Sequence, residues 1–149
     1  MSSDSQTHPT REQIGLVESS WNQIAPHQAE LARSFYEQLF ALDPNIEPLF
    51  SGTDMEQQGK KLTDTLTVAV KGLQHFPALV PALGELGNRH VSYGVKEEHY
   101  TCVRTALISA IGNVLGDQFT AETKEAWSVT YDALAAVMKD GLQEKPKPV

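Results

Sequence analysis

The amino-acid sequence predicts an all-α fold of about six to eight helices in a single domain. Apolar residues recur three or four positions apart through most of the chain, which is the period of an amphipathic helix. No hairpin pattern, βαβ unit or internal repeat is found, and 149 residues correspond to about one domain. Residues 1–9 and 144–149 lack this period and are expected to be polar tails, which leaves 10–143 as the folded domain.

The first two helices are predicted over about residues 10–26 and 27–42. Thr10 and Gln13 have the spacing of a capping box, in which each side chain bonds a free backbone amide at the helix start. Asp43 precedes a proline and ends the second helix, because a residue in that position disfavours the helical conformation. The apolar rows are Ile14, Val17, Trp21 and Ile24, then Leu31, Phe35 and Leu39 beside Ala32, Tyr36 and Phe40.

The middle of the chain is predicted to hold a short element and a long one. Residues 45–54 are too interrupted for a long element, and we predict one turn of helix followed by a loop. A helix is then predicted over about residues 55–73. Its run from Leu66 to Val70 also fits a strand, but the length and the surrounding period favour a helix. The repeating row of this helix is Gln58, Leu62, Leu66, Ala69 and Leu73.

Three helices are predicted in the C-terminal half. Pro77 and Pro81 mark the start of a shorter helix, which Gly94 closes. A long helix then ends at Gly116, and a last long helix begins at Thr120. Their rows are Leu79, Leu83, Leu86 and His90; Tyr100, Val103, Leu107, Ile111 and Val114; and Trp127, Tyr131, Leu134 and Met138.

The composition excludes several classes of partner. Lys and Arg total 12 against 19 Asp and Glu, a net charge of −7 with a pI of about 5.1. Such a chain lacks the basic surface that nucleic acids or anionic membranes attract, and no apolar run reaches the roughly 18 residues of a transmembrane helix. The start, MSSDSQTHPT, has no apolar signal segment, and the single cysteine, Cys102, permits no internal disulfide. We therefore expect a cytoplasmic protein without nucleic-acid or membrane partners.

Few residues are candidates for chemistry. The motifs of dinucleotide, nucleotide-triphosphate, zinc-ribbon and zincin sites are all absent from the sequence. Four histidines are expected in solvent, in the tail, at helix starts or in a turn: His8, His27, His75 and His99. His90 instead continues an apolar row near the end of its helix, where spacing alone fits either a core histidine or a ligand.

Two further polar residues lie on apolar rows. Gln58 begins the row of its helix, and Tyr36 lies on the apolar face of the second helix, where a buried hydroxyl needs a partner. Together with His90 they describe a dry cavity with one base and two hydrogen-bond donors. In an all-α fold, such a cavity suggests a haem site with one axial imidazole and an open position on the other side of the iron.

These residues resemble the globin family, over about residues 10–142. The most specific pieces are Phe40-x-x-x-Pro44 followed by Phe50, and Leu86-Gly-Asn-Arg-His90 continued by Val91-Ser-Tyr-Gly-Val-Lys-Glu-Glu-His-Tyr100. The second piece is similar to the proximal-histidine segment of bacterial single-domain globins and of the globin half of flavohaemoglobins. The resemblance implies a three-on-three helical sandwich around haem b.

The resemblance also implies a role for each matching residue. His90 matches the proximal histidine that binds the iron, and Phe50 matches the phenylalanine that packs against the porphyrin. Tyr36 and Gln58 match the distal donors that face the gas, with Gln57 as the alternative register. The other implied cofactor contacts are Leu62 over the iron, Lys61 either at a propionate or in solvent, and Val95, Tyr100 and Val103. No histidine matches the distal position, so an iron bound by two histidines is not expected.

The implied function is reversible binding of oxygen, nitric oxide or carbon monoxide at a five-coordinate iron. Bound oxygen carries partial negative charge, so hydrogen bonds from Tyr36 and Gln58 would each contribute about 1–3 kcal/mol and slow its release. The alternative is an enzyme that converts nitric oxide to nitrate with bound oxygen, as flavohaemoglobins do. A haem-free interaction module is a third hypothesis, which the presence of His90 and Phe50 opposes.

Two departures from flavohaemoglobins bear on the enzymatic alternative. Flavohaemoglobins continue into flavin and nicotinamide domains, so a separate flavin reductase would be required by this chain. Their proximal histidine is hydrogen-bonded by a tyrosine and a glutamate; Tyr100 matches the tyrosine, but Leu142 stands at the place of the glutamate. Glu144 follows two residues later, out of helical phase. The sequence leaves open whether the protein is an enzyme, and whether it is a monomer or a homodimer.

Overall fold

A computed structural model describes residues 8–92 and 96–143, apart from the side chains of residues 91, 92, 97 and 140–143. The described chain is all-α, as predicted. Its helices are α1 (Arg11–Ile24), α2 (Gln28–Leu42), α3 (Met55–Lys71), α4 (Phe76–Ser92), α5 (Glu97–Leu115) and α6 (Ala121–Gln143). Short 3₁₀ turns lie at Ala25–His27, Glu47–Phe50, Leu73–His75 and Gly116–Gln118. Most of the N-terminal tail, Gly94 and the C-terminal tail lie outside the described residues.

The helix ends confirm most of the sequence signals. Thr10 caps α1 and forms the predicted capping box with Gln13, at 2.9 and 3.1 Å. Asp54 caps α3 by accepting two backbone amides of its first turn. Gly116 ends α5 with a φ of +58°, a conformation that favours glycine because it has no Cβ. The ends of α1, α3 and α5 are therefore set by residues at or next to those ends.

The start of α4 differs from the prediction. Pro81 lies inside the helix, which begins at Phe76 and runs for 17 residues, so the element is not short. Pro77 is tolerated because amides of the first turn have no partner within a helix. Pro81 gives up one bond near an exposed helix end, which costs less than a break in the middle of the element.

The helices pack in pairs around an apolar core. α4 packs along α6, α2 along α5, and α1 against α6, while α2 crosses α3. Trp21 and Trp127 lie within the core, as predicted, with ring centroids 6.0 Å apart. In contrast, α3 and α4 do not pack closely against each other over the described residues. These two helices carry Gln58 and His90.

Candidate functional site

Tyr36 of α2 and Gln58 of α3 form a hydrogen-bonded pair. The amide Nε2 of Gln58 donates to the hydroxyl oxygen of Tyr36 over 3.2 Å. Because this oxygen accepts, the proton of the Tyr36 hydroxyl stays available for another acceptor. The second amide hydrogen of Gln58 is available in the same way. The pair therefore presents two donors, and we call it the distal pair.

The close crossing of α2 and α3 brings the distal pair together. Gly59, next to Gln58, lies against Ala32 at the crossing, where a Cβ on the glycine would be only 2.9 Å from the Cβ of Ala32. A larger residue at position 59 would push the helices apart. The sequence signal for this crossing is a pair of small residues, one on each helix.

Gln57 and Gln58 have different surroundings. Gln57 is exposed, and its backbone amide bonds the Asp54 carboxylate at the helix cap. Gln58 is half-buried and contacts Tyr36. Of the two registers left open by the sequence, the structure thus brings Gln58 and not Gln57 to the tyrosine.

Burial keeps Tyr36 in its protonated form. The side chain is buried, and removal from water raises the pKa of its hydroxyl, while the hydrogen bond from Gln58 opposes this shift. Burial disfavours the phenolate because a charge is costly away from water. Tyr36 therefore remains a hydrogen-bond donor at neutral pH.

Phe50 belongs to an aromatic cluster around the distal pair. Its ring lies 5.5 Å from Tyr36 and 5.6 Å from Phe40, and Phe35 closes the cluster 4.8 Å from Tyr36. An open surface pocket of about 400 Å³ borders Phe50 and Phe40, and a groove of about 630 Å³ between α2 and α3 borders Tyr36. Phe50 and Tyr36 thus combine firm ring packing with access to open space.

His90 of α4 is held by its own helix. Nδ1 donates to the backbone carbonyl oxygen of Leu86 over 2.7 Å. A carbonyl only accepts, so in the neutral imidazole the proton is on Nδ1 and the lone pair is on Nε2. This is the tautomer that binds a metal through Nε2, and the carbonyl also fixes the orientation of the ring.

Tyr100 of α5 lies beside His90. The two ring centroids are 6.4 Å apart with planes tilted by 33°. The Tyr100 hydroxyl is buried and has no hydrogen-bond partner among the described residues, and burial raises its pKa. The hydroxyl of Tyr131 in α6 donates to the backbone carbonyl oxygen of Tyr100 over 2.8 Å and so fixes the backbone at Tyr100. We call His90 and Tyr100 the proximal pair.

The remaining predicted contacts vary in how far the structure describes them. Leu62 and Val103 are half-buried and pack at the edge of the core, and Lys61 is exposed. Val95 and Glu144 lie outside the described residues, as does the side chain of Leu142. The roles of all these residues stay predictions.

The other four histidines differ from His90 in exposure or in hydrogen bonding, and His99 is half-buried and not in solvent as expected. His27 and His75 are exposed, and Nδ1 of His99 accepts the Lys96 amide at the start of α5. His8 is also exposed, although its ring contacts Phe76 at 4.6 Å. Within the described residues, no group of three His, Cys, Asp or Glu side chains is placed to hold a metal ion.

Comparison with known proteins identifies the family. The Globin family model matches residues 33–138, and the chain therefore belongs to the globin family. A bacterial globin structure from Campylobacter jejuni aligns with a TM-score of 0.79 and 28% identity, covering 91% of this chain and 100% of that one. The all-α globin fold predicted from the sequence is confirmed.

The curated relatives are of two kinds. The flavohemoprotein of Xylella fastidiosa is 33% identical over 129 residues, which are 85% of this chain and 32% of the relative. The chain thus spans about a third of the length of that relative. An anaerobic nitrite reductase of Gossypium hirsutum is 31% identical, over 87% of this chain and 88% of the relative.

Membership of the globin family implies a haem cofactor, and the residues present fit one. His90 offers the lone pair of Nε2 in the metal-binding tautomer, because the Leu86 carbonyl holds the proton on Nδ1. Leu62, Leu66 and Val103 are apolar yet only half-buried, as expected where a cofactor completes the packing.

In the described residues, no helix is long and apolar enough to cross a membrane. The cytoplasmic location stays a prediction.

Sequence reasoning missed two residues at the proximal pair. Tyr131 was recognised only as an apolar position of the last helix, yet its hydroxyl anchors the backbone of Tyr100. The second residue is Lys139, whose ammonium lies 5.8 Å from the centroid of the Tyr100 ring. The available signal was its spacing, because Lys139 precedes Leu142 by three residues on the same helix face.

Proposed function

We propose that this globin binds haem b through His90 and reversibly binds oxygen and other diatomic gases. When bound, the haem would be held by His90 and would supply an iron that can bind a diatomic gas. The observation that carries the proposal is the hydrogen bond from Gln58 to Tyr36. This bond uses one amide hydrogen of Gln58 and leaves its second hydrogen and the Tyr36 hydroxyl proton for donation to a ligand.

The distal pair suits an acceptor that gains negative charge. Burial raises the pKa of the Tyr36 hydroxyl, which is protonated at neutral pH, and because its oxygen accepts from Gln58 its proton can be donated to another group. Hydrogen bonds to a charged acceptor contribute about 1.5–3 kcal/mol each, more than bonds between neutral groups. We expect oxygen to be released slowly for this reason.

The proximal and peripheral residues have simpler roles. The Leu86 carbonyl holds the Nδ1 proton of His90, so the imidazole would bind iron as a neutral ligand. Phe50 would pack against the porphyrin, and Leu62 and Val103 would provide further apolar contacts to it. Lys61 is exposed and free to approach a propionate.

The test is the visible spectrum of the protein in its ferric, dithionite-reduced and carbon-monoxide-bound forms. We expect a five-coordinate ferrous spectrum that shifts with carbon monoxide in the wild type and in the control His75→Ala. His90→Ala should lose or alter both features. Absence of haem after reconstitution would contradict the proposal and favour the haem-free interaction module.

Conversion of nitric oxide to nitrate is a second candidate function, favoured by the similarity to a flavohemoprotein over most of this chain. The distal pair would hold oxygen for this reaction as it would for storage, and a flavin reductase would return the iron to the ferrous state. The test supplies such a reductase with NADH, oxygen and nitric oxide. Formation of more than one nitrate per haem supports the enzymatic function. Formation that stops at one nitrate per haem supports gas binding without turnover.

A further inference from the structure

The proximal pair has a cation beside it. The Nζ atom of Lys139 lies 5.8 Å from the centroid of the Tyr100 ring, a distance at which the ring attracts an ammonium group. The Tyr100 ring in turn lies 6.4 Å from the imidazole of His90. These two distances place the positive charge within about 12 Å of the imidazole.

The contact between α4 and α6 fixes Lys139 relative to His90. Gly87 of α4 lies so close to the backbone of Met138 that a Cβ on the glycine would collide with the Met138 carbonyl. Met138 is the residue before Lys139, and Gly87 lies one turn before His90. The stem of the lysine and the imidazole are therefore carried by two helices in direct backbone contact.

The charge of Lys139 is not neutralised by a described neighbour. Among the described side chains, no carboxylate forms an ion pair with Lys139. The nearby cation on α5, Arg104, is paired with Asp132 at 2.8 Å and so contributes little net field. Lys139 is also half-buried, which reduces the screening of its charge by water.

We propose that the positive charge of Lys139 raises the reduction potential of the haem iron and so favours its ferrous, gas-binding state. This inference rests on the proposed binding of haem by His90. Transfer of one electron from an external donor, such as the electrode of a titration, to ferric iron would remove one unit of positive charge from the site, with no proton transferred. A nearby cation repels the ferric form more than the ferrous form, because Coulomb energy is proportional to the charge.

The ammonium of Lys139 is expected to shift the reduction potential in the direction opposite to that of a carboxylate beside the histidine. A carboxylate beside the histidine would stabilise the more positive ferric iron. Here Leu86 supplies a neutral acceptor to His90, and among the described side chains the ammonium of Lys139 lies 5.8 Å from the Tyr100 ring. Both features favour the state that binds a neutral gas.

The experiment is a spectroelectrochemical titration of the haem-loaded protein at low ionic strength. The variants are Lys139→Gln, Lys139→Glu and Lys139→Arg, with Lys124→Gln as the matched control. Lys124 is exposed on the same helix and lies 15 residues earlier, roughly 22 Å along the axis. Resonance Raman spectra of the ferrous forms report whether His90 remains the axial ligand.

The potential should fall in Lys139→Gln and fall about twice as far in Lys139→Glu, because the charge changes by one and two units. It should stay at the wild-type value in Lys139→Arg and Lys124→Gln, and added salt should reduce the shifts. Equal potentials in wild type and Lys139→Gln would overturn the inference. So would an equal shift in Lys139→Arg and Lys139→Gln, which indicates packing and not charge.

Two outcomes separate this inference from the proposed function. A wild type that shows no axial histidine, or is unchanged by His90→Ala, contradicts the proposed function whatever Lys139 does. If haem is bound at His90 but the charge of residue 139 leaves the potential unchanged, only the role of Lys139 fails. Should Lys139→Gln not load haem, the comparison of Lys139→Arg with Lys139→Glu decides, and equal potentials overturn the inference.

Discussion

Two buried tyrosines of this globin have nearly the same exposure and opposite hydrogen bonding. Tyr36 is 8% exposed and Tyr100 is 6% exposed. The Tyr36 hydroxyl accepts a bond from Gln58, whereas the Tyr100 hydroxyl has no partner among the described residues. The proposed role of Tyr36 depends on its hydroxyl, whereas the Tyr100 ring lies 6.4 Å from the His90 ring and 5.8 Å from the Lys139 ammonium. Burial alone therefore does not identify a functional tyrosine, because the neighbours decide which part of it acts.

The largest expected effect disrupts the proximal pair through Gly87→Ala. The added methyl collides with the backbone of Met138, which cannot move away as a flexible side chain would. We expect a destabilisation of about 3 kcal/mol, a large overpacking cost. Thermal unfolding of the haem-loaded protein measures it, as a fall in Tm of about 6–12 °C.

The matched control is Gly84→Ala, one turn earlier in α4. A Cβ at position 84 meets nothing within 4 Å. This variant should be neutral or more stable by up to about 1 kcal/mol, because alanine is the better helix former. Equal Tm values for the two variants would show that the close approach of α4 and α6 is not required.

The next effect tests the distal pair through Tyr36→Phe. Phenylalanine keeps the ring contacts with Phe35 and Phe50 but removes the donor. We expect oxygen to dissociate about 10- to 100-fold faster, corresponding to about 1.4–2.7 kcal/mol. Stopped-flow displacement of oxygen by carbon monoxide measures the rate. The control His75→Ala changes an exposed residue and should leave the rate within about twofold; an unchanged rate in Tyr36→Phe would exclude it as a donor.

Gln58→Leu should have a smaller effect, about tenfold on the same dissociation rate, because Tyr36 can still donate. Gln57→Leu is the matched control, since Gln57 is exposed, and it should behave as the wild type. Because Gln58 donates to Tyr36, the double variant should show less than the product of the two single effects. A full effect in Gln57→Leu with none in Gln58→Leu would move the distal register by one residue.

The fold was predictable because it follows from local signals. The helix period, the Thr10 capping box and the glycine at position 116 each act within a few residues. The predicted start of α4 was wrong because a local rule was applied too strictly. Proline usually marks the start of a helix, but Pro81 is tolerated about one turn inside α4. Local rules gave the elements, and the error arose where a local penalty is small.

The site was predictable only in part because its geometry comes from contacts between helices. Spacing and resemblance selected His90, Tyr36 and Gln58, but left Gln57 open until the Gly59 crossing was known. Lys139 reaches Tyr100 from a helix that begins 21 residues after it in the chain. No periodicity within one helix reports such a contact.

The smallest expected effect has the opposite sign and separates the two tyrosines directly. Tyr100→Phe removes a buried hydroxyl that has no described partner, so little hydrogen bonding is lost and its desolvation cost disappears. We expect the haem-loaded variant to be as stable as the wild type or more stable by up to about 1 kcal/mol, a rise in Tm of up to about 2–4 °C. Tyr36→Phe should instead lower the Tm, because the Gln58 amide then loses its acceptor. A fall in Tm for Tyr100→Phe as large as that for Tyr36→Phe would mean that the proximal hydroxyl is bonded when haem is present, and the contrast between the two tyrosines would then be wrong.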